Sequence, residues 1–262
     1  AEQVPAVAWE LMETFWPGPL TLILRKQAWV PDAITGGQDT VGLRVPSHPV
    51  ALELLRRFAA VAGEHAGIAA PSANRFGRIS PTTAAHVQEE LGDRISLILD
   101  GGPCKVGIES TIVDFSRGEP VILRPGHVSP AHLEAVFGRQ LLIETAGGAP
   151  RVSGSLAAHY APQTPMRMVA GARLLDFLNA QRHKGGRCGV ISHSQPPQAG
   201  MPHAWRLLAA DPVGYAHEIY GALRELDHAG VDLIAVEALP EAAGWAAVAD
   251  RLRRAVAGSG GA

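Results

Sequence analysis

Hydrophobic positions recur along this chain at two spacings, and the spacing changes from segment to segment. Val7, Leu11 and Phe15 share one face of a helix over residues 4–15. A rigid turn with two prolines, Trp16-Pro17-Gly18-Pro19, separates it from a short apolar strand over residues 21–25. Thr35, Gly36 and Gly37 form a hairpin-like loop ahead of an alternating strand, residues 40–45, in which Arg44 is the one charge. Val50, Leu52, Leu55 and Phe58 give a helix over residues 49–60, with Ser47 and His48 as caps.

Residues 68–82, Ile-Ala-Ala-Pro-Ser-Ala-Asn-Arg-Phe-Gly-Arg-Ile-Ser-Pro-Thr, read as a buried strand end that breaks into a polar loop. Pro71 ends the ladder. Ser72, Asn74, Ser80 and Thr82 then offer small donors, Gly77 allows close backbone approach, and Arg75 and Arg78 add positive charge. Such a loop after a strand suits a phosphate or a carboxylate. It also suits a plain turn before a helix over residues 84–91, with Ser80 as N-cap. Further strands are expected at residues 95–100, 107–114 and 121–123, and a helix at 130–137. Hairpin and helix connections alternate, so the sheet should be mixed rather than purely parallel.

Residues 145–165 lose this periodicity, with Gly147, Gly148, Pro150, Gly154, Pro162 and Pro165 spread through them. This is a linker by composition. His159-Tyr160-Ala161-Pro162 lies inside it, and an aromatic there can fold over a ligand as a lid, although a linker tyrosine without a ligand is the commoner case. From residue 166 strands and helices alternate: strands at 167–170, 189–192 and 231–238, helices at 172–181 and 241–257, and a helix from Pro212 capped by Asp211 and stopped by Gly230. That is a small Rossmann-like parallel α/β domain without a G-x-G-x-x-G or P-loop motif. The expected organisation is a first domain over 1–144, a linker or lid over 145–165, and a second domain over 166–258.

Composition narrows the function classes. A net charge of -2 and 18% charged residues give no global field for nucleic acid. Cys104 and Cys188 lie far apart without a CxxC pair, which suits a reducing cytoplasm and neither a zinc site nor a disulfide scaffold. No apolar run reaches the roughly 18 residues that span a bilayer, and the opening residues have no basic region of a signal peptide. His86, His132 and Cys104 have no partner ligand in the sequence, so they belong to packing or surface.

Five motifs then occur in order: Phe15-Trp16-Pro17-Gly18-Pro19-Leu20-Thr21; Arg44-Val45-Pro46 with His48-Pro49; Ala70-Pro71-Ser72-Ala73-Asn74 with Ser80-Pro81-Thr82; Glu109-Ser110-Thr111; and Leu123-Arg124-Pro125-Gly126. Together they resemble the YrdC-like domain family, and the linker motif with the second domain resembles its longer branch, the L-threonylcarbamoyladenylate synthases. The resemblance implies a YrdC-like twisted mixed sheet with helices. It also implies formation of threonylcarbamoyl-AMP and pyrophosphate from ATP, L-threonine and bicarbonate, for tRNA threonylcarbamoyladenosine made by downstream partner enzymes. Carried over by position, Thr40, Ser72, Ser80, Arg124 and Tyr160 would contact ATP; Arg44, the Ala70 backbone and Ser110 would contact threonine. The residue types agree, since guanidinium forks suit carboxylates and phosphates and hydroxyls donate to phosphate oxygens. No nucleophilic residue is implied, and Mg²⁺ would be held largely by the phosphates. Outside the resemblance, Arg44 reads as an edge-strand charge and Ser110 as a cross-strand pair; Thr21 reads as structural, because the proline turn already explains its surroundings.

Family members also carry a segment with a Lys-x-Arg element ahead of the Phe-Trp-Pro-Gly-Pro motif. This sequence opens at Ala1 with no counterpart, so an N-terminally incomplete catalytic domain is expected. The alternative reading is a noncatalytic RNA-binding or regulatory module of the same fold, with Arg75, Arg78, Arg94 and Lys105 as a local basic face for weak RNA contact.

Overall fold

The computed structural model describes residues 1–63, 65–144, 148–194 and 204–260. They fall into two compact units, 1–71 with 109–155 and 72–108 with 156–262.

The first unit is built on a four-stranded mixed sheet in the order β2-β1-β3-β4. Strand β1 (Leu20–Arg25) runs antiparallel to β2 (Thr40–Leu43) and parallel to β3 (Thr111–Asp114), which is antiparallel to β4 (Val121–Arg124). Leu20, Leu22 and Leu24 alternate onto one face and meet Val113 and Ile122. Helices α1 (Ala6–Phe15) and α5 (Pro130–Phe137) cover that face with Leu11 and Leu133. The proline turn is pinned by the Trp16 indole N–H, which donates to the Leu20 carbonyl at 2.7 Å. Thr111, fully buried, donates its hydroxyl to the Val128 carbonyl at 2.7 Å. The loop at Thr35 contains a short helix, α2 (Asp32–Thr35), closed by Gly36 in the left-handed conformation. Helix α3 (Pro49–Ala62) follows β2; His48 caps it by accepting the Val50 amide.

Three expected elements differ. Residues 68–70 belong to no strand or helix, with Ile68 42% exposed and Ala70 exposed, rather than to a buried strand. Residues 95–100 are likewise outside any sheet, with Leu97 and Leu99 exposed. Apolar composition marks what a strand can bury, whereas the ladder needs a neighbouring edge, which composition does not supply. The strand expected from 107 begins only at Thr111, because the residues before it turn. In the second unit the cap of α4 (Ala84–Leu91) is Thr83, which accepts the His86 amide, rather than Ser80.

The second unit holds a parallel four-stranded sheet in the order β5-β8-β6-β7, from β5 (Met166–Val169), β6 (Cys188–Ser192), β7 (Ala204–Leu207) and β8 (Leu233–Glu237). Helices α7 (Pro212–His228) and α8 (Ala246–Gly258) pack on one face through Ile219, Leu223, Leu226 and Leu252; α6 (Leu174–His183) packs on the other through Leu174 and Leu178. Asp211 caps α7 by accepting two amides, and Pro212 occupies its first turn.

Glu237, 2% exposed, closes the carboxyl edge of this sheet. It accepts the His193 and Ser194 amides at 2.8 and 3.0 Å and the Ser194 hydroxyl. Burial pushes its carboxyl up, but the hydroxyl, the two amides and the His193 ring outweigh that, and its pKa lies below the ordinary 4.5. A carboxyl depressed by folding stabilises above its unfolded pKa and loses that contribution as pH falls through the folded value. Glu237→Gln should therefore cost about 1–3 kcal/mol at pH 7. The difference in melting temperature from the parent protein should shrink as pH drops below about 4.5; a difference that is flat with pH would show the ionised form to be immaterial.

Candidate functional site: a sheet face and a polar loop

The face of the first sheet opposite α1 and α5 carries Ile23, Ile112 and Leu123, with Ala149 and Val152 lying on them. Gly42 belongs to this face, since a Cβ there would lie 3.1 Å from the Ile23 side chain and 3.5 Å from Thr21. By the two-residue alternation Thr40, paired with Arg25, shares it. Pairing of Leu22 with Leu43, and the Gly18 amide on the Val45 carbonyl at 2.8 Å, bring Arg44 to the end of the sheet where β1 starts.

At that end the Ser110 hydroxyl lies 2.7 Å from the Thr21 hydroxyl. The Arg124 guanidinium donates to the Ser110 carbonyl from Nε and Nη2 at 3.1 and 3.0 Å, to Ser110 Oγ at 3.2 Å, and to the Ser153 carbonyl from Nη1 at 2.7 Å. Ser110 and Arg124 are both buried. Arg44 keeps more than a third of its surface open, yet it is enclosed enough that desolvation lowers its guanidinium pKa. The close approach that shapes this corner is at Gly126: a Cβ there would fall 2.4 Å from the Thr111 nitrogen and 2.7 Å from the Glu109 carbonyl. Thr40, buried, sits four residues from Arg44, roughly 13 Å along the strand. It lines a cavity of about 470 Å³ together with Arg25, Gln38, Arg117 and Pro150. The sheet face thus gathers Arg44, Ser110 and Arg124 at one end and leaves Thr40 at the other. Ala70 lies outside the sheet in the same unit.

Residues 148–155 are tied down by pairs the sequence does not announce. The Arg151 amide donates to Gln38 Oε1 at 2.6 Å, Gln38 Nε2 returns to the Arg151 carbonyl at 3.0 Å, and Arg151 Nη2 reaches the Gly36 carbonyl at 2.9 Å.

In the second unit the polar loop and the linker tyrosine come together. The Ala161 amide donates to the Gly77 carbonyl at 2.9 Å, and Arg78 and Ala161 form a β-bridge. Asn74 Nδ2 holds the loop by donating to the Arg75 and Arg78 carbonyls. Ser80 is buried and Ser72 exposed. Tyr160 is 1% exposed, stacked on Tyr220 at 5.8 Å with the Arg251 guanidinium 5.4 Å above its ring. Its φ of +61° is rare for a tyrosine and costs on the order of 1–3 kcal/mol.

Sequence reasoning missed the groups that brace this loop. Arg224, 5% exposed on α7, donates to the Ile79 carbonyl and to Glu90 Oε1 at 3.0 Å. Asp227 accepts the Gln163 and Thr164 amides at 3.0 and 2.7 Å and pairs with Arg78 at 3.4 Å. A charge beside the apolar stripe of α7 was the available signal. Glu89, Glu90 and Asp227 also interleave with Arg75, Arg78 and Arg224 around a cavity of about 110 Å³, so positive charge does not accumulate there. His132 and His86 act locally, the first in the capping box of α5 with Ser129, the second against the Thr82 amide. Among the described residues no group of three or more His, Cys, Asp or Glu is placed to hold a metal ion, and no helix is long and apolar enough to cross a membrane.

Residues 1–126 match the family described as telomere recombination, and residues 128–257 match the threonylcarbamoyl-AMP synthase C-terminal domain. The threonylcarbamoyl-AMP synthase of Pyrococcus abyssi is 36% identical, over 97% of this chain and 75% of its own length. The chain belongs to the threonylcarbamoyl-AMP synthase family. The Bacillus subtilis synthase is also 36% identical, over 97% of this chain and 74% of its own. The solved structure of Pyrococcus abyssi Sua5 complexed with L-threonine superposes with a TM-score of 0.86 at 34% identity, covering 99% of this chain and 76% of that one. Family membership accounts for the mixed sheet, the parallel second sheet and the order of the five motifs.

Proposed function

We propose that this chain forms threonylcarbamoyl-AMP and pyrophosphate from ATP, L-threonine and bicarbonate, in the cytoplasm, as the first step toward threonylcarbamoyladenosine in tRNA. The observation that carries the reading is the joining of Ser110 and Arg124 at one end of the sheet face, beside Arg44, in a chain of this family. Arg44 forks onto the threonine carboxylate and Ser110 donates to a threonine oxygen, with the Ala70 backbone as a third contact. Arg124, Ser72 and Ser80 neutralise and donate to phosphate oxygens, and Thr40 and Tyr160 complete the ATP contacts.

The threonine nitrogen attacks the bicarbonate carbon and water leaves. A carbamate oxygen then attacks the α-phosphorus and pyrophosphate departs. No protein nucleophile is needed, so the residues act by positioning and by charge. Mg²⁺ would be bound chiefly by phosphate oxygens, where it offsets their charge. The threonylcarbamoyl group then passes to partner enzymes acting on tRNA.

The test is pyrophosphate release from ATP and bicarbonate by this chain, with and without L-threonine. Threonine-dependent release is expected. Release that ignores threonine, or tRNA retained in a salt-dependent manner without any turnover, would defeat the reading.

A further inference from the structure

We infer that Thr21 is a positioning residue for Ser110: it sets the Ser110 hydroxyl as a donor toward the bound amino acid. The inference rests on the proposed role of Ser110 in holding L-threonine. A guanidinium can only donate, so the Arg124 Nη2 contact at 3.2 Å occupies one acceptor position of Ser110 Oγ. The Thr21 hydroxyl, 2.7 Å away, occupies the second when it donates. Both acceptor positions are then filled by the protein, and the proton of Ser110 points away from both. It is available to an oxygen of the ligand.

The fold holds this arrangement in register. Thr21 is opposite Ile112 in the parallel pairing of β1 with β3, and the Thr111 amide donates to the Pro19 carbonyl at 3.0 Å, so the two strand starts cannot slide past each other. The side chain also faces the sheet surface that carries the candidate site, since a Cβ on Gly42 would touch its methyl group at 3.5 Å. Thr21 therefore contributes a bond that a purely apolar residue in the same strand position would not. The proline turn fixes where Thr21 sits; its hydroxyl acts across the sheet.

Calorimetric titration of this chain with L-threonine, for the parent, Thr21→Val, Thr21→Ser, Ser110→Ala and the Thr21→Val/Ser110→Ala pair, tests the assignment. Thr21→Val keeps the shape and removes the hydroxyl, so binding should weaken about three- to tenfold, the range of one neutral hydrogen bond. Thr21→Ser should restore it to within about twofold, because the hydroxyl alone carries the effect. In the Ser110→Ala background Thr21→Val should bring no further loss. In the pyrophosphate assay the same variant should raise the KM for threonine and leave the KM for ATP unchanged. Where the valine variant does not fold, Thr21→Ala compared with Thr21→Ser gives the same reading.

Parent-like affinity in Thr21→Val, or losses that add in the double variant, would overturn the positioning role. Absence of L-threonine binding by the parent chain is a different failure, seen before any variant is made, and it overturns the proposed function itself.

Discussion

Arg124→Ala should lower both the stability of the protein and its affinity for ATP. In the ligand-free structure this buried guanidinium serves two Ser110 acceptors and the Ser153 carbonyl. Truncation leaves those acceptors without it in a buried corner, a loss of about 2–4 kcal/mol from several bonds to a charged donor. If Arg124 also turns toward phosphate, nucleotide affinity should fall by about 1.5–3 kcal/mol, and turnover with it. Arg124→Lys separates the effects: it keeps the positive charge but cannot span three acceptors, so stability should drop while part of the nucleotide affinity survives. Thermal unfolding and nucleotide titration of the two variants are the measurements. Unchanged ATP affinity in Arg124→Ala would take Arg124 out of the nucleotide site and leave it as a clamp between Ser110 and the linker.

Gly126→Ala should be nearly as damaging, for a reason that involves no ligand. The added methyl would meet the Thr111 nitrogen at 2.4 Å and the Ser110 carbonyl carbon at 2.7 Å. Both are backbone, so no rotamer relieves the overlap, and the chain at 109–111 must shift at a cost of about 3 kcal/mol. The shift moves Ser110 relative to Thr21 and Arg124, so L-threonine affinity should fall with the melting temperature. A variant that melts and binds like the parent would mean that this corner is looser than its contacts indicate.

Much of the fold was legible because local rules and tertiary structure agree. Asp211 and Pro212 start α7, Tyr215, Ile219 and Leu223 line its buried side, and Ile234 and Val236 fill the strand that follows, as the alternation of spacing requires. What escaped depended on partners far away in sequence. Strand β7, Ala204–Leu207, is short and follows a polar stretch rich in proline, and its existence is settled by the edge of β6 rather than by its own residues. Residues 68–70 and 95–100 are the converse, apolar enough to be strands and without a place in either sheet. At the candidate site, the motifs named Ser110 and Arg124, but no local pattern could reveal that Thr21 meets a serine 89 positions later, because that contact is made by strand register. Arg224 stood out only as a charge beside the apolar stripe of α7; its bond to the Ile79 carbonyl depends on a loop 145 positions away in sequence.

Helix α3 connects the strand leading to Arg44 with the stretch holding Ala70, and none of its fourteen residues is buried. Val50, Leu54, Phe58 and Val61 are exposed along one side. Local devices support this helix: the His48 cap, Pro49 in the first turn, and the Glu53 pairs with Arg56 and Arg57. Such devices are weak at an exposed surface, and a helix of this length is marginal by itself. Its amides should therefore exchange with solvent hydrogen far faster than those of β1 and β3, through openings that leave the sheet intact. Arg44 is anchored at the sheet end and Ala70 is not, so a ligand touching both would lose affinity to the ordering of α3. Hydrogen-exchange protection that rises in residues 49–62 on adding L-threonine would measure that ordering directly.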